Sequence, residues 1–132
     1  IQVSISVRNA GPEAAEIEII PTLWFRNTWS WGLDDRRPSI TANAGALEAE
    51  HHELGTMTLA GSGTPDLLFC DNETNAQRLF NAPNTSPYPK DGINDHVVSG
   101  AATLNSTQSG TKAALRPSPA DPALSPRMSR AR

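Results

Sequence analysis

Apolar and polar residues alternate in short runs separated by glycine and proline, and this pattern constrains the fold more than any other feature of the sequence. Residues 2–8 alternate without a break, so that three branched aliphatic side chains fall on one face and polar side chains on the other. A period of two is typical of a strand with one buried face. Residues 9–12 (NAGP) predict a turn, and the alternation that resumes at Ala15 therefore predicts an antiparallel hairpin.

Further strands are predicted at residues 39–43, 56–60 and 66–71, and another is expected to open at residues 111–115. The apolar run within residues 66–71 has no polar face, which predicts a central position in its sheet. Residues 46–54 suit either a helix or a strand, because their leucines fit both periods.

One short helix is predicted in the second half of the chain. Thr74 and Gln77 have the spacing of a capping box, and the helix is expected to run to Phe80. Residues 81–90 hold three prolines and predict a loop, and Asp91 with Gly92 predicts a turn.

Composition supports a single all-β domain. The 132 residues include 11 prolines and 9 glycines, and 37% of them are hydrophobic, which disfavours a helical bundle. No apolar run reaches the roughly 20 residues of a membrane-spanning helix, and residues 1–20 lack the pattern of a secretory signal. A single cysteine, Cys70, favours a reducing compartment, so a cytoplasmic location is predicted. Because the chain opens with Ile1 in a strand-like run, we expect the protein to start further upstream.

Charge and proline content change abruptly after Leu115. Seven basic and thirteen acidic side chains precede residue 116, whereas four arginines and one aspartate follow, within a total net charge of −3. The acidic majority disfavours nucleic acid as a partner. Residues 116–132 hold four prolines and no periodicity, which predicts a disordered Pro/Ser/Arg-rich tail. We hypothesise a reading-frame change or a truncated gene near Leu115.

Tryptophans are the first candidate for binding chemistry. Trp29 and Trp31 have the same parity, so both rings would lie on one side of an extended segment, and indole rings stack on sugar faces. The alternative is that they fill the seam between the sheet and a packing partner, because an indole buries a large apolar area.

The second candidate is a dense polar segment at residues 88–96. Asp91, Asn94 and Asp95 crowd what is predicted to be one turn, where they could bind sugar hydroxyls. The alternative is a loop that is hydrogen-bonded to itself. Residues 91–95 do not supply the acids of a calcium loop.

No metal site or cofactor is predicted. His51 and His52 are adjacent, so their rings point in different directions and do not form a zinc site. The apolar run around Cys70 is expected to keep its thiol protonated and inert. No catalytic nucleophile motif is present in the sequence.

Three long segments carry a resemblance to a known family: residues 21–32 (PTLWFRNTWSWG), 68–75 (LFCDNETN) and 86–98 (SPYPKDGINDHVV). In this order they resemble the large bacterial proteins of glycoside hydrolase family 63. The resemblance covers residues 1–115, and it implies part of an N-terminal β-sandwich domain that precedes an (α/α)6 catalytic barrel. Members of the wider family hydrolyse α-linked glucose or mannose with inversion, and their general acid and base belong mainly to the barrel.

The resemblance therefore implies a glucosidase-like fragment without catalytic residues of its own. Its expected architecture is a partial antiparallel β-sandwich with long loops and one short helix over residues 1–115, followed by the tail at residues 116–132. The missing barrel is the expected packing partner, and an α-linked oligosaccharide is the expected ligand. We predict that the fragment alone is inactive; the alternative is a carbohydrate-binding or structural sandwich module without turnover. The substrate-binding residues that we predict are Trp29, Trp31, Asp91, Asn94 and Asp95.

Overall fold

The computed structural model describes residues 1–32 and 35–118, and most of its regular structure is β-strand. The elements along these residues are β1 (Thr22–Trp24), a 3-10 turn (Trp29–Trp31), β2 (Ser39–Asn43), β3 (Ala46–His51), β4 (Gly55–Leu59), β5 (Asp66–Cys70), α1 (Ala76–Phe80), α2 (Gly92–Ser99), β6 (Ser109–Gly110) and β7 (Lys112–Arg116). The prediction of an all-β fold is confirmed.

The strands form two antiparallel sheets. One has three strands in the order β1-β7-β5, and the other has four in the order β4-β3-β2-β6. The strands predicted at residues 39–43, 56–60, 66–71 and 111–115 correspond to β2, β4, β5 and β7, with ends shifted by at most one residue.

The main core lies between the two sheets and a smaller one lies outside the three-stranded sheet. The four-stranded sheet contributes Ile40, Leu47 and Ala49 to the main core, where they meet Phe69 and Leu115. The smaller core packs α2 against the opposite face of β5 and β7; its buried residues are Leu68, Cys70, Ile93 and Ala114. The result is a layered arrangement of sheet, sheet and helix.

A tight hairpin settles the ambiguity over residues 46–54 in favour of a strand. Ala44 and Gly45 connect β2 to β3 with φ of 50° and 82°. Two consecutive positive φ values are those of a two-residue hairpin turn whose twist matches the strands it joins. The tight return places Leu47 and Ala49 directly beside β2.

The strand predicted at residues 2–8 does not form. The turn after it is present, since the Asn9 side chain accepts from Gly11 N at 2.9 Å and donates to Glu13 O at 2.7 Å. Residues 1–8 nevertheless have no assigned secondary structure and are exposed. Alternation describes which face a strand would bury, but a strand also needs a neighbour for its backbone, and residues 14–20 do not provide one here.

The predicted central position of β5 is also wrong. Among the described residues β5 pairs with β7 alone, and β7 is itself the middle strand of the three. Phe69 faces the main core, whereas Leu68 and Cys70 face α2. Both faces of β5 are buried because a layer lies on each side, so an all-apolar run does not require two neighbouring strands.

Two α-helices are present where one was expected. The predicted turn at Asp91 opens α2, and its Ile93 and Val97, four residues apart, both pack on the three-stranded sheet. A pair with this spacing lies on one face of a helix. Neither described helix is long and apolar enough to cross a membrane.

The first helix ends at Phe80 as predicted but is capped by another residue. Asn75, not Thr74, is the N-cap, and its side-chain oxygen accepts from Arg78 N at 3.0 Å. Gln77 donates instead to the Asn81 side chain at 2.9 Å.

The predicted tail begins too early. Arg116 is the last residue of β7, where it is paired with Asp66 and forms an ion pair with Glu18. The remainder of the predicted tail, residues 119–132, lies outside the described residues.

Candidate functional site

Three consecutive polar residues follow β5 and form the most connected polar cluster of the described chain. They are Asp71, Asn72 and Glu73, and we call them the Asp71–Glu73 hub. The hub lies where β5 ends beside β7, and Glu73 is 7% exposed. Neighbouring residues of the hub share partners: Asp71 and Asn72 both bind Thr111, and Asn72 and Glu73 both bind Asn27.

Glu73 holds the tryptophan-bearing loop. One carboxylate oxygen accepts from Trp29 Nε1 at 2.6 Å, and the other accepts from Asn27 Nδ2 at 3.1 Å and Thr85 Oγ1 at 3.2 Å. The donors precede and follow the hub in sequence, so Glu73 joins two loops. Hydrogen bonds to a carboxylate are stronger than those between neutral groups.

Asp71 holds β7 and the loop before α2. It accepts from Thr111 N at 3.1 Å and Ser86 Oγ at 2.6 Å, and it forms an ion pair with Arg37 at 2.6 Å. The Arg37 guanidinium also lies 5.6 Å from the centroid of the Trp29 ring. The two carboxylates of the hub are therefore linked through Arg37 and Trp29.

Asn72 completes the connection through the backbone. Its amide N donates to Thr111 Oγ1 at 2.8 Å, and its side chain donates to Phe25 O at 2.8 Å. Its carbonyl oxygen accepts from Asn27 at 3.1 Å. Every residue of the hub thus binds a segment about 40 residues away along the chain.

An open cleft of about 320 Å³ adjoins the hub. Its lining residues are Arg37, Pro38, Ser39, Asp71, Asn105, Ser109, Gly110 and Thr111. The Asp71 carboxylate at this cleft is already bound to protein donors. The arrangement is suited to fixing loops rather than to moving protons.

The two predicted tryptophans do not form a platform. They lie at the ends of a 3-10 turn, where residues two apart point in different directions. Trp29 packs against the main core and donates to Glu73, whereas Trp31 is 54% exposed and is covered partly by the Arg26 guanidinium at 5.0 Å. The seam-filling alternative describes Trp29.

The predicted residues Asp91, Asn94 and Asp95 lie together at the start of α2, and both acids are bound by α1. Arg78 of α1 forms ion pairs with both Asp91 and Asp95, and Asn75 also donates to Asp91 at 3.0 Å. We call these four residues the Arg78 cluster. Asn94 is exposed and donates to Asp95 at 3.4 Å. The alternative of a loop hydrogen-bonded to itself does not describe these acids, because Arg78 and Asn75 bind them from outside residues 88–96.

The pKa of Asp95 is lowered. The main cause is the hydrogen bond from Arg78, and a smaller one is the hydrogen bond from Asn94. Both stabilise the ionised carboxylate at the surface.

Sequence reasoning missed the hub and an exposed indole on β1. Trp24 is 58% exposed and lines a second cleft of about 260 Å³ together with Thr22, Asn72 and Lys112. Polar residues directly after an apolar strand are the signal that could have indicated Asp71 and Glu73. No local signal distinguishes Trp24 from Trp29, because their exposure depends on which strand lies at the edge.

Cys70 is buried in the protein, and His51 packs against neighbouring aromatic rings. Burial raises the pKa of the Cys70 thiol to about 11, and the nearby Lys112 opposes that shift in part. The His51 ring lies 5.3 Å from that of Phe25, centroid to centroid. The prediction that the His51 and His52 rings point in different directions is wrong, because the two rings are stacked with centroids 4.4 Å apart. Within the part of the chain that the structure describes, no three His, Cys, Asp or Glu side chains are grouped as metal ligands would be.

The fold and the hub define a small all-β domain whose acids are tied into its own framework. The chain is 32% identical, over 129 aligned residues, to the uncharacterized protein YMR196W of Saccharomyces cerevisiae. The alignment spans 76% of this chain but only 12% of the yeast protein. No family model and no solved structure matches the chain.

Proposed function

We propose that residues 1–115 are a non-catalytic part of an inverting α-glycosidase and support an (α/α)6 barrel that carries the chemistry. One observation carries this proposal: the three segments that resemble family 63 converge on the Asp71–Glu73 hub. Asn27 and Trp29 come from the first segment, the hub itself from the second and Ser86 from the third. We expect three segments that are distant in sequence to occur together in one family when all of them contribute to the same structural feature, which here is the hub.

The bonding of the hub supports a positioning role. An inverting glycosidase needs one carboxylic acid that donates a proton and one carboxylate that activates a water, about 6.5–9.5 Å apart. Asp71 and Glu73 instead accept hydrogen bonds from several protein donors each. Both are suited to holding the loops of the sandwich in place.

The outer surface supports a larger packing partner. Large apolar side chains are exposed on both helices and on β1, at Trp24, Leu79, Phe80 and Val98. Exposed apolar patches of this kind often mark interfaces. The match to 12% of a much longer yeast protein is consistent with a domain that works within a larger chain.

Hydrolysis assays test the catalytic part of the proposal. We expect purified YMR196W to cleave α-linked gluco- or manno-oligosaccharides and to release the β-anomer first, followed by proton NMR. We expect the 132-residue chain to release no sugar from the same substrates. Turnover by the short chain, or failure of the yeast protein to cleave any of them, would contradict the proposal.

A chimera tests the supporting role. Residues 1–115 would replace the aligned segment of YMR196W, and the chimera is expected to keep the hydrolytic activity. A second chimera with Glu73→Ala is expected to lose activity together with thermal stability. The matched chimera with Glu53→Ala removes an exposed carboxylate and is expected to retain both. Full activity in the Glu73→Ala chimera would argue against support by the hub.

A carbohydrate-binding module without turnover is the second candidate, favoured by Trp24. Its exposed indole lines an open cleft together with Thr22, Asn72 and Lys112, and an exposed indole in a polar cleft can stack on a sugar ring. Titration of tryptophan fluorescence with maltose-type oligosaccharides tests it. Saturable quenching that is lost in Trp24→Ala and kept in Trp31→Ala would support the module, and no quenching would exclude it.

A further inference from the structure

Residues 2–8 have the sequence pattern of a strand, but they pair with no strand among the described residues. Val3, Ile5 and Val7 are 77%, 56% and 49% exposed, although they alternate perfectly with polar side chains. Branched aliphatic residues have high strand propensity. This segment therefore has the side-chain pattern of a strand with one buried face, although that face is exposed in the structure.

The structure also contains a sheet edge that lacks a strand. β4 ends the four-stranded sheet and pairs only with β3 among the described residues. Met57 lies directly opposite the fully buried Ala49 on the core-facing side, yet Met57 is 40% exposed. The apolar face of this sheet thus continues beyond the cover of the second sheet.

β4 offers the longest unobstructed edge of the four. The edges at β1 and β6 belong to strands of three and two residues, against five in β4. β5 also has five residues, but its Phe69 carbonyl already accepts from Asn105 N at 2.9 Å. An added strand would find the most unpaired backbone at β4.

The two elements match on both faces. In an antiparallel register, Val3, Ile5 and Val7 lie opposite Leu59, Met57 and Gly55 on the apolar face. Ser4 and Ser6 then lie opposite Thr58 and Thr56 on the polar face. A shift by one residue would place apolar against polar side chains on both faces.

We propose that two copies of this chain form a dimer by reciprocal strand exchange, in which residues 2–8 of each copy pair antiparallel with β4 of the other. Within one molecule the segment stays away from the body, since residues 1–8 are all exposed. When the two copies are related by a two-fold axis, the segment of each copy pairs with the β4 edge of the other. Neither segment nor β4 edge is then left to bind a third copy, so the assembly closes at two copies. The inference concerns the chain itself and does not depend on the glycosidase proposal.

Light scattering coupled to size-exclusion chromatography tests the dimer. From micromolar to millimolar concentrations, the mass of the wild type is expected to rise from 14.1 kDa to twice that value. Ile5→Arg places a charge on the apolar face and is expected to remain monomeric throughout. Ser6→Arg introduces the same side chain on the polar face and is expected to dimerise with wild-type affinity. Both positions are exposed in the monomer, so neither variant should unfold it.

Two results of that experiment would overturn the proposal. One is a wild type that stays monomeric at every concentration. The other is a dimer that Ile5→Arg and Ser6→Arg weaken equally, because such a dimer would use a different surface.

Disulfide trapping tests the register and the exchange. A chain with Ile5→Cys is mixed with a chain that carries Met57→Cys, and oxidation is expected to link the two into a covalent heterodimer. Directly opposed residues of an antiparallel pair have Cα atoms about 4.5–5.5 Å apart, which is within the range of about 4.4–6.8 Å found in disulfides. Ser6→Cys mixed with Met57→Cys is the matched control and is expected to give no link. If the double variant Ile5→Cys/Met57→Cys forms only a link within one chain, the exchange between copies is wrong.

Discussion

The Asp71–Glu73 hub and the Arg78 cluster are both built from acids held by neighbouring donors, but they differ in their access to water. In the hub, Glu73 is 7% exposed and accepts from the Trp29 indole and two further side chains. In the Arg78 cluster, the arginine side chain is 52% exposed. A buried carboxylate is costly to leave without its donors, whereas an exposed ion pair is screened by solvent.

The difference shows where this small domain depends on polar contacts. The hub ties β5 and β7 to loops about 40 residues away, and it does so at the border of the main core. The Arg78 cluster joins two short helices at the surface. Loss of the first should affect the whole fold, and loss of the second should affect one face.

Removal of the Glu73 carboxylate is expected to have the largest effect. Glu73→Ala leaves the Trp29 and Asn27 donors without their acceptor and should lower the free energy of unfolding by about 3 kcal/mol. Urea denaturation followed by tryptophan fluorescence measures it. Asp95→Ala is the matched control in the Arg78 cluster and should cause a much smaller loss. Equal losses would remove the distinction between the two regions.

A methyl group at Gly110 is expected to have the next largest effect. A Cβ at this position would lie 2.2 Å from the Cys70 carbonyl oxygen, which cannot move without shifting β5. Gly110→Ala should therefore cost about 2 kcal/mol by overpacking beside the hub. At Gly61 the closest atom is a flexible side-chain carbon of Leu115 at 3.3 Å, so Gly61→Ala should cost clearly less. Thermal unfolding followed by circular dichroism compares them, and a reversed order would contradict the close approach at Gly110.

The two tryptophans of the 3-10 turn should respond differently to the same change. Trp29→Phe removes the indole N–H that binds Glu73 and should cost about 1–2 kcal/mol. Trp31→Phe changes an exposed ring and should stay within about 0.5 kcal/mol of the wild type. Urea denaturation of both variants measures this. A larger loss for Trp31→Phe would mean that the turn is held by its outer ring.

The smallest effect is expected in the Arg78 cluster, and it should depend on pH and salt. Arg78 lowers the pKa of Asp95 in the folded protein, so its contribution is present above the ordinary Asp pKa of 3.8 and is lost as the pH falls through the lowered value. Arg78→Ala should therefore be slightly less stable than the wild type at pH 7 and equal to it in strong acid. The difference should also shrink in high salt. A difference that persists in strong acid would indicate a packing role for the arginine stem.

Short-range patterns predicted much of the fold. The patterns of short segments located β2, β4 and β5, the last from an apolar run, and β7 appears where residues 111–115 were expected to open a strand. These elements follow patterns that can be read within a few residues. The same approach placed a strand at residues 2–8, which does not form because no neighbouring strand is present among the described residues. It placed a turn at Asp91 correctly but missed α2, which begins at Gly92 and whose buried face is defined by the three-stranded sheet.

The candidate site was less predictable. Asp91, Asn94 and Asp95 were singled out for their density in sequence, but Arg78 of the preceding helix occupies both acids. The hub was not predicted because its hydrogen-bond donors are dispersed along the sequence. Asn27 and Thr111, for example, are each about 40 residues away from the hub residue that they bind. Local density of polar residues does not show which of them will have partners.

The sequence by itself determined the secondary-structure class, the turns and the boundaries of most strands, since these depend on backbone preferences and on the period of apolar residues. Only the tertiary structure decided that β7 lies between β1 and β5, that Trp29 is half-buried while Trp24 is exposed, and that Glu73 is a shared acceptor. These properties depend on contacts between segments that are distant in sequence. Such contacts contribute to the free energy of folding only after the two sheets have packed together.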